Sequence, residues 1–420
     1  MADSLYCALA SNSLSFGASG SSRPCCAVDT HYWPNAKHEL PKFDNKVISW
    51  FNNEDLVSLR KKLLAGEWDP ICNMCKSREE YGQLSTRQIF NSTMGAIEQK
   101  TGINLHVDSA TIPDLSKIFL LDITVGNVCN SACLMCNASA STLWAKEQEI
   151  IIGNAITWLR PNWFTKENVP VLIDDLPNLK AIQFLGGEPT INETHIFLLK
   201  RLIEQGRASK ITLGYVTNLT GISKELLELW SHFDTKHITI SVDGVGPVNE
   251  YIRYPFSWTK VSSQVENLKR IADSDGNYNI GLSHTVISLN LLTIDVLLEW
   301  WEGQVSSSPS VLRSLPHIQC VNNPSYFNPL YMPHEMKDEA RKSLDRLATF
   351  ASTHSLGDKY TPAINNIAAT VLDAEVDEEL RMIQWLKMQS FVESLDKHRN
   401  RNIFNYIPYM EKYWIHNGNS

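Results

Sequence analysis

Nine cysteines stand at Cys7, Cys25, Cys26, Cys72, Cys75, Cys129, Cys133, Cys136 and Cys320. Their spacing says more than their number. Cys129, Cys133 and Cys136 form C-x3-C-x2-C, an arrangement that chance would give in about 0.004 of chains of this length and cysteine content. Three thiolates on so short a loop can converge on one inorganic cluster. A cubane has four irons, so three cysteines leave one iron open to a chelating substrate. A three-cysteine zinc site completed by a distant histidine is the alternative reading. A second signal is Gly186-Gly187-Glu188-Pro189. Two residues without Cβ let the backbone approach a ligand closely, and Glu188 adds a carboxylate beside them.

These residues need elements to hold them. The apolar, β-prone run 118–125 reads as a strand ending just before Cys129, with a helix expected over 138–150. Strands then alternate with helices. Strands are expected at 181–185, 211–216, 237–242, 279–287 and 317–321, and helices at 196–204, 224–233, 261–272 and 292–301. Six β/α units from Ile118 onward predict an α/β fold, a partial (β/α)6 TIM-like barrel with helices outside. Chemistry in such a fold belongs at the C-terminal strand ends, where Thr217-Asn218 and Asp243-Gly244 also stand.

Composition narrows the class. The 420 residues are 43% hydrophobic and 20% charged, with Lys+Arg 38 against Asp+Glu 46 and a net charge of −8. That balance argues against a nucleic-acid partner. No apolar run reaches the ~18 residues of a membrane span. Residues 1–20 lack the apolar segment of a secretory signal, so a cytoplasmic setting is expected.

Cys129 to Cys136, Gly186 to Pro189, Thr217-Asn218 and Ser241-Val242-Asp243-Gly244 together resemble the radical S-adenosylmethionine (SAM) enzymes. The resemblance covers about residues 117–323. It implies a [4Fe-4S] cluster on Cys129, Cys133 and Cys136, whose unique iron is chelated by the amino and carboxylate groups of SAM. It further implies that Gly186, Gly187 and Glu188 meet the methionyl amino group, and that Thr217, Asn218, Ser241 and Asp243 contact the ribose. Arg253 is a candidate partner for the SAM carboxylate, because a guanidinium fork suits a carboxylate. Many family members carry an aromatic residue just before the third cysteine, packed on adenine. Here Met135 stands there, and its polarisable sulfur can also pack on a ring. Met135, with Ser139, Ser141 and Trp144 following, looks like the subgroup that carries an accessory cluster.

The N-terminal cysteines fit that subgroup. Cys7, Gly20 and Cys25 stand in C-x12-G-x4-C, and Cys72 and Cys75 in C-x2-C. Residues 14–28 read as a hairpin bringing Cys7 near Cys25, and 56–64 as a helix carrying the chain back across a small sheet. The spacing resembles the SPASM/twitch accessory module, placed here before the barrel. It implies a second iron–sulfur cluster on Cys7, Cys25, Cys72 and Cys75, with Cys26 competing for the role of Cys25. Zinc, or no metal, is the alternative. Cys320 reads as a small buried hydrophobe.

The expected organisation is an accessory module over 1–105, a core over 106–325 and a helical extension over 326–420. The extension has two helices, 335–354 and 378–395, the second placing Leu380, Ile383, Trp385, Leu386 and Phe391 on overlapping faces. The resemblance implies reductive cleavage of SAM to a 5′-deoxyadenosyl radical that takes hydrogen from a substrate, first of all a peptide or protein side chain. It also implies a one-electron reductant such as a flavodoxin or ferredoxin. A small metabolite or sugar derivative is the alternative substrate, and a non-catalytic metal-binding scaffold the alternative function. His284 and Asn290 are weak candidates for substrate contact.

Overall fold

The computed structural model describes residues 5–28, 51–152, 163–308 and 315–415. The described residues form eight strands: β1 (Ser13–Phe16), β2 (Ser22–Arg23), β3 (Leu120–Thr124), β4 (Ala181–Leu185), β5 (Thr212–Thr217), β6 (Lys236–Ser241), β7 (Tyr278–Val286) and β8 (His317–Cys320). Their order in the sheet is β2-β1-β3-β4-β5-β6-β7-β8. β1 and β3, β3 and β4, β4 and β5, and β7 and β8 pair in parallel. Helices Thr142–Ile152, Glu193–Glu204, Lys224–Ser231, Trp258–Asp275, Ile294–Ser307 and His334–Thr353 follow the six strands from β3 on. The fold is α/β, of the partial TIM-like barrel class.

The N-terminal hairpin departs from expectation. Gly17 N–H and Gly20 N–H close the turn between β1 and β2 by bonds of 2.9 Å, and the two strands are antiparallel. This hairpin forms no small sheet of its own, because β1 adds in parallel to β3. Side chains explain the register. Ser15 donates to the Asp122 carboxylate at 2.6 Å, and Asn12 donates to the Leu105 and Lys117 carbonyls at 2.8 and 2.9 Å. All four residues of β1 are buried, so a strand of alternating serine and apolar residues is satisfied only inside a larger sheet.

Chain contacts divide the molecule into two compact units, bounded as Met1–Val128, Leu159–Val216 and Gly221–His237 for the first, and Cys129–Trp158, Thr217–Thr220 and Ile238–Ser420 for the second. In the first, His195, Phe184, Tyr215 and Trp230 form one buried aromatic cluster. Its helix Thr86–Thr101 begins with a reciprocal Ser85–Gln88 capping box and stops at Gly102, whose φ is +71°. In the second, helix His334–Thr353 packs on Ile294–Ser307 through Ser343 and Arg346, both bonded to Asp295. Helix Glu378–Arg399 buries Trp385, Met388, Val392 and Leu395. Leu380, Ile383 and Leu386, grouped with Trp385 and Phe391 on overlapping faces from the sequence, are exposed.

No helix among the described residues is long and apolar enough to cross a membrane.

Candidate active site

In the second unit the cysteine triplet lies on a loop whose backbone is bound at nearly every residue. Thr142 Oγ1 accepts from Cys129 N–H at 3.3 Å and donates to the Cys129 carbonyl at 3.2 Å. The Ser131 carbonyl accepts from Ser141 Oγ at 2.5 Å, the Ala132 carbonyl from Arg399 at 2.9 Å, and the Cys133 carbonyl from Trp144 Nε1 at 2.5 Å. Ala132 N–H and Leu134 N–H donate to the Tyr254 and Ile252 carbonyls at 2.8 and 2.9 Å. Carbonyls satisfied by protein groups have no need of water, and these bonds set the course of the loop. Ser141 and Trp144 thus have a physical role in shaping it. Ser139, also singled out from the sequence, only donates to Asn137 at 2.5 Å.

The turn after β5 is tied to the same loop. Asn218 Nδ2 donates to Asn130 Oδ1 at 2.9 Å and Ser131 Oγ at 3.2 Å, while Asn130 Nδ2 donates to Thr220 Oγ1 at 3.0 Å. Thr217 Oγ1 accepts from Leu219 N–H at 2.9 Å. Met135 and Ser241 are half-buried.

Asp243 and Arg253 face each other. Arg253 Nε lies 2.7 Å from Asp243 Oδ2, and Arg253 Nη1 lies 3.8 Å from Cys133 Sγ. Asp243 Oδ1 accepts from Thr285 N–H at 2.8 Å, with His284 Nδ1 3.5 Å away. Burial alone would raise the Asp243 carboxyl, but Arg253 and then His284 outweigh it and hold it below the usual carboxylate range. Burial pushes the Cys133 thiol up against the pull of Arg253, and the Cys136 thiol up to about 12. His284 and Asn290 are fully buried. Asn290 donates to the Asp243 and Thr285 carbonyls at 2.9 and 3.0 Å, which makes it part of the scaffold rather than a substrate contact.

A cavity with about 1540 Å³ of empty space, part of it open to solvent, reaches Cys136. Asn137, Trp144, Tyr326, Lys387 and Phe391 are among its walls.

In the first unit, Gly186 and Gly187 have φ of +74° and +51°. A Cβ on Gly186 would meet Thr124 Cγ2 at 2.1 Å, and one on Gly187 the Val128 carbonyl oxygen at 2.4 Å. Only glycine fits this approach. Glu188 N–H donates to that same Val128 carbonyl at 2.8 Å, beside the start of the cysteine loop. The Glu188 carboxylate is buried and accepts from Thr190 N–H at 3.2 Å and Thr190 Oγ1 at 2.7 Å.

The first unit also brings Cys7, Cys25, Cys72 and Cys75 to the wall of one small cavity, with about 430 Å³ of empty space that includes open solvent. Cys7 caps helix Ala8–Asn12, while Cys72 and Cys75 sit either side of the start of helix Asn73–Glu80. Arg87 lines the same cavity, held by Glu79 at 2.7 Å and by the Tyr6 carbonyl at 2.9 Å. Burial pushes the Cys7 thiol up to about 11, the Cys72 thiol up to about 12, and the Cys25 thiol well above its ordinary value. Cys26 is not among the lining residues and stands beside the buried Asp122 carboxylate. All nine cysteines are free of disulfides. Cys320 is half-buried, its thiol pushed up to about 12 by burial.

Among the described residues, no three His, Cys, Asp or Glu side chains group so as to hold a single metal ion. A cubane asks for something different, since each thiolate binds its own iron and the sulfurs stay apart around the cluster. Two cysteine sets, one on a braced loop and one lining a single cavity, supply the thiol donors such a cluster takes.

Thr142 and the Asn130–Asn218 pairing were not singled out from the sequence, and Arg399, in the tail segment 395–399 that resembles the same subgroup, was given no chemical task. They lie far along the chain from their partners or carry no distinctive spacing.

No curated protein matches the sequence. Among solved structures, Streptococcus suis SuiB is similar at 13% identity and a TM-score of 0.36, over 71% of this chain and 61% of that one. The anSMEcpe protein with bound AdoMet is similar at 15% identity and a TM-score of 0.39, over 56% of this chain and 59% of that one. The chain thus spans less than two thirds of either solved chain. Residues 123–287 match the Radical SAM superfamily model. That segment holds the triplet, both glycines, Glu188, Asp243 and Arg253. The likeness to the Radical SAM superfamily model is thus confined to residues 123–287, the segment that carries these side chains.

Proposed function

We propose that the chain cleaves SAM reductively and passes the resulting radical to a peptide or protein side chain. The observation that carries this reading is the braced loop of Cys129, Cys133 and Cys136, whose carbonyls are bound by Thr142, Ser141, Arg399 and Trp144. A bound [4Fe-4S] cluster and SAM supply the electron transfer and the 5′-deoxyadenosyl radical, chemistry that belongs to those groups. The chain holds, orients and shields them. Gly186 and Gly187 offer open backbone to the methionyl amino group, and Glu188 a carboxylate. Thr217, Asn218, Ser241 and Asp243 receive the ribose, and Met135 the adenine. Arg253 balances the charge of Asp243 and Cys133 and turns part of its fork to the SAM carboxylate.

The substrate is placed in the cavity that reaches Cys136. Aromatic walls at Trp144, Tyr326 and Phe391 and the cation Lys387 suit a peptide side chain with its neighbouring carbonyl or carboxylate groups. A flavodoxin or ferredoxin is the proposed one-electron donor, in the reducing cytoplasm where free cysteines persist. Residues 1–105 act as the SPASM/twitch-like accessory module, 106–325 as the core and 326–420 as its extension.

The accessory cluster is proposed on Cys7, Cys25, Cys72 and Cys75. The shared cavity supports it and favours Cys25 over Cys26. Counting iron and sulfide in anaerobically reconstituted protein tests both sites. About eight irons per chain are expected. Cys25→Ser should lose about half of them and Cys26→Ser none. Zinc without sulfide, or equal iron in wild type and Cys25→Ser, contradicts the reading.

A further inference from the structure

The C-terminal helix reaches the cysteine loop through one side chain. Arg399, the last residue of helix Glu378–Arg399, has a side chain only 4% exposed, and its partner Glu147 is 7% exposed. Arg399 Nε and Nη2 both donate to Glu147 Oε2, at 3.1 and 2.5 Å. Nη2 also donates to the carbonyl of Ala132, the residue immediately before Cys133, at 2.9 Å. The guanidinium lies 4.2 Å from the centre of the Tyr254 ring and 5.4 Å from that of Trp144. Those two residues hold the same loop, Tyr254 by its carbonyl to Ala132 N–H and Trp144 by its indole to the Cys133 carbonyl.

The neighbouring tail residues grip the other side of this arrangement. Asp396 accepts from Tyr251 Oη at 2.8 Å, and Arg401 donates to the Glu250 carbonyl at 2.9 Å while lying 4.7 Å from the Tyr254 ring. The carbonyls of Ile252 and Tyr254 between them anchor Leu134 and Ala132. Two segments that position the loop are therefore both fastened to the tail.

Stability alone gives no reason for this design. A buried ion pair often does no better than apolar side chains of similar volume. Lysine could supply the charge. Only a guanidinium can fork onto a carboxylate, donate to a carbonyl and lie flat on aromatic rings at once.

We propose that Arg399 is a positioning residue of the cluster loop, setting the Ala132 backbone that presents Cys133 and fixing a cation beside the cluster. The proposal rests on the reading that this loop holds a cubane. Its test uses the full-length protein and the variants Arg399→Gln, Arg399→Lys and Arg381→Gln. Arg381 is buried on the same helix and pairs with Glu378, so its variant reports general damage to the helix.

Two measurements are made. In metal-free protein, amide exchange at residues 132 and 134 should be at least about tenfold faster in Arg399→Gln than in wild type, and unchanged in Arg381→Gln. In reconstituted protein, the electron paramagnetic resonance component that responds to added SAM should shift in Arg399→Gln, with a lower midpoint potential, because the reduced cluster is the more negative state. Arg399→Lys should restore the potential in part but leave the exchange fast and the spectrum altered. Wild-type exchange and potential in Arg399→Gln would overturn the proposal, as would equal changes in Arg381→Gln. If Arg399→Gln does not fold, the same comparison is made with Arg399→Lys. Wild-type protein that binds no iron would sink the cluster reading, and the exchange rates would still decide whether Arg399 holds the loop.

Discussion

Gly187 combines a left-handed backbone with a carbonyl oxygen 2.4 Å from where its Cβ would stand. Gly187→Ala therefore adds backbone strain and a clash with Val128 together. The cost should be about 1–3 kcal/mol, measured by urea unfolding. The clash falls on the residue before Cys129, so SAM cleavage should drop by more than the lost stability explains. Unchanged stability and turnover in this variant would show that the close approach is unimportant. The glycine pair stood out in the sequence only by its context, because Gly-Gly-Glu-Pro alone reads equally as an ordinary turn and gains meaning about fifty residues after the cysteine triplet. The choice between Cys25 and Cys26 was not legible there. Both neighbours fit the spacing, and only the fold shows Cys25 at the cavity and Cys26 beside Asp122. Arg399 was equally hidden, since 267 positions separate it from Ala132 and no spacing rule spans that distance.

Helix Glu193–Glu204 carries His195 onto strands β4 and β5, where its Nε2 lies 2.8 Å from Tyr215 Oη and its ring stacks edge-on to Phe184. Burial pushes His195 down to about 3, so the fold holds it neutral. Unfolded histidine titrates near 6.5, so between these values the unfolded chain binds the extra proton. The stabilisation is complete above about pH 6.5 and falls as the pH drops toward about 3. Comparing urea unfolding from pH 7 to 5 in wild type and His195→Gln should show the steeper loss in wild type, by up to about 1.4 kcal/mol per pH unit. Equal slopes would mean that His195 is charged or exposed in the native protein. The strands were legible here because apolar, β-branched runs end abruptly in glycine, asparagine or aspartate. Helices Asn73–Glu80 and Thr86–Thr101 were not, because each buries a single residue, Cys75 and Met94, and so leaves no apolar period to read. The attachment of β1 to β3 was hidden for another reason. Ser13-Leu14-Ser15-Phe16 reads as a strand, but nothing in its own residues names its neighbour.

Across the whole chain, the two sets of cysteines have different ends on the proposed reading. The triplet lies on a loop braced by backbone contacts and would leave one cluster corner for a ligand, whereas four cysteines lining one cavity could ligate a cluster completely. On that reading the labour divides: one centre would do chemistry, and the other would store or pass electrons or stiffen its surroundings. The most direct measurement of the central claim is the release of 5′-deoxyadenosine and methionine when reconstituted protein is reduced anaerobically in the presence of SAM. Wild type should release both in equal amounts, and Cys133→Ala, still folded and still holding the N-terminal cluster, should release neither. A wild-type protein with its irons in place that leaves SAM intact, or a Cys133→Ala variant that cleaves it as well as wild type, would contradict the account.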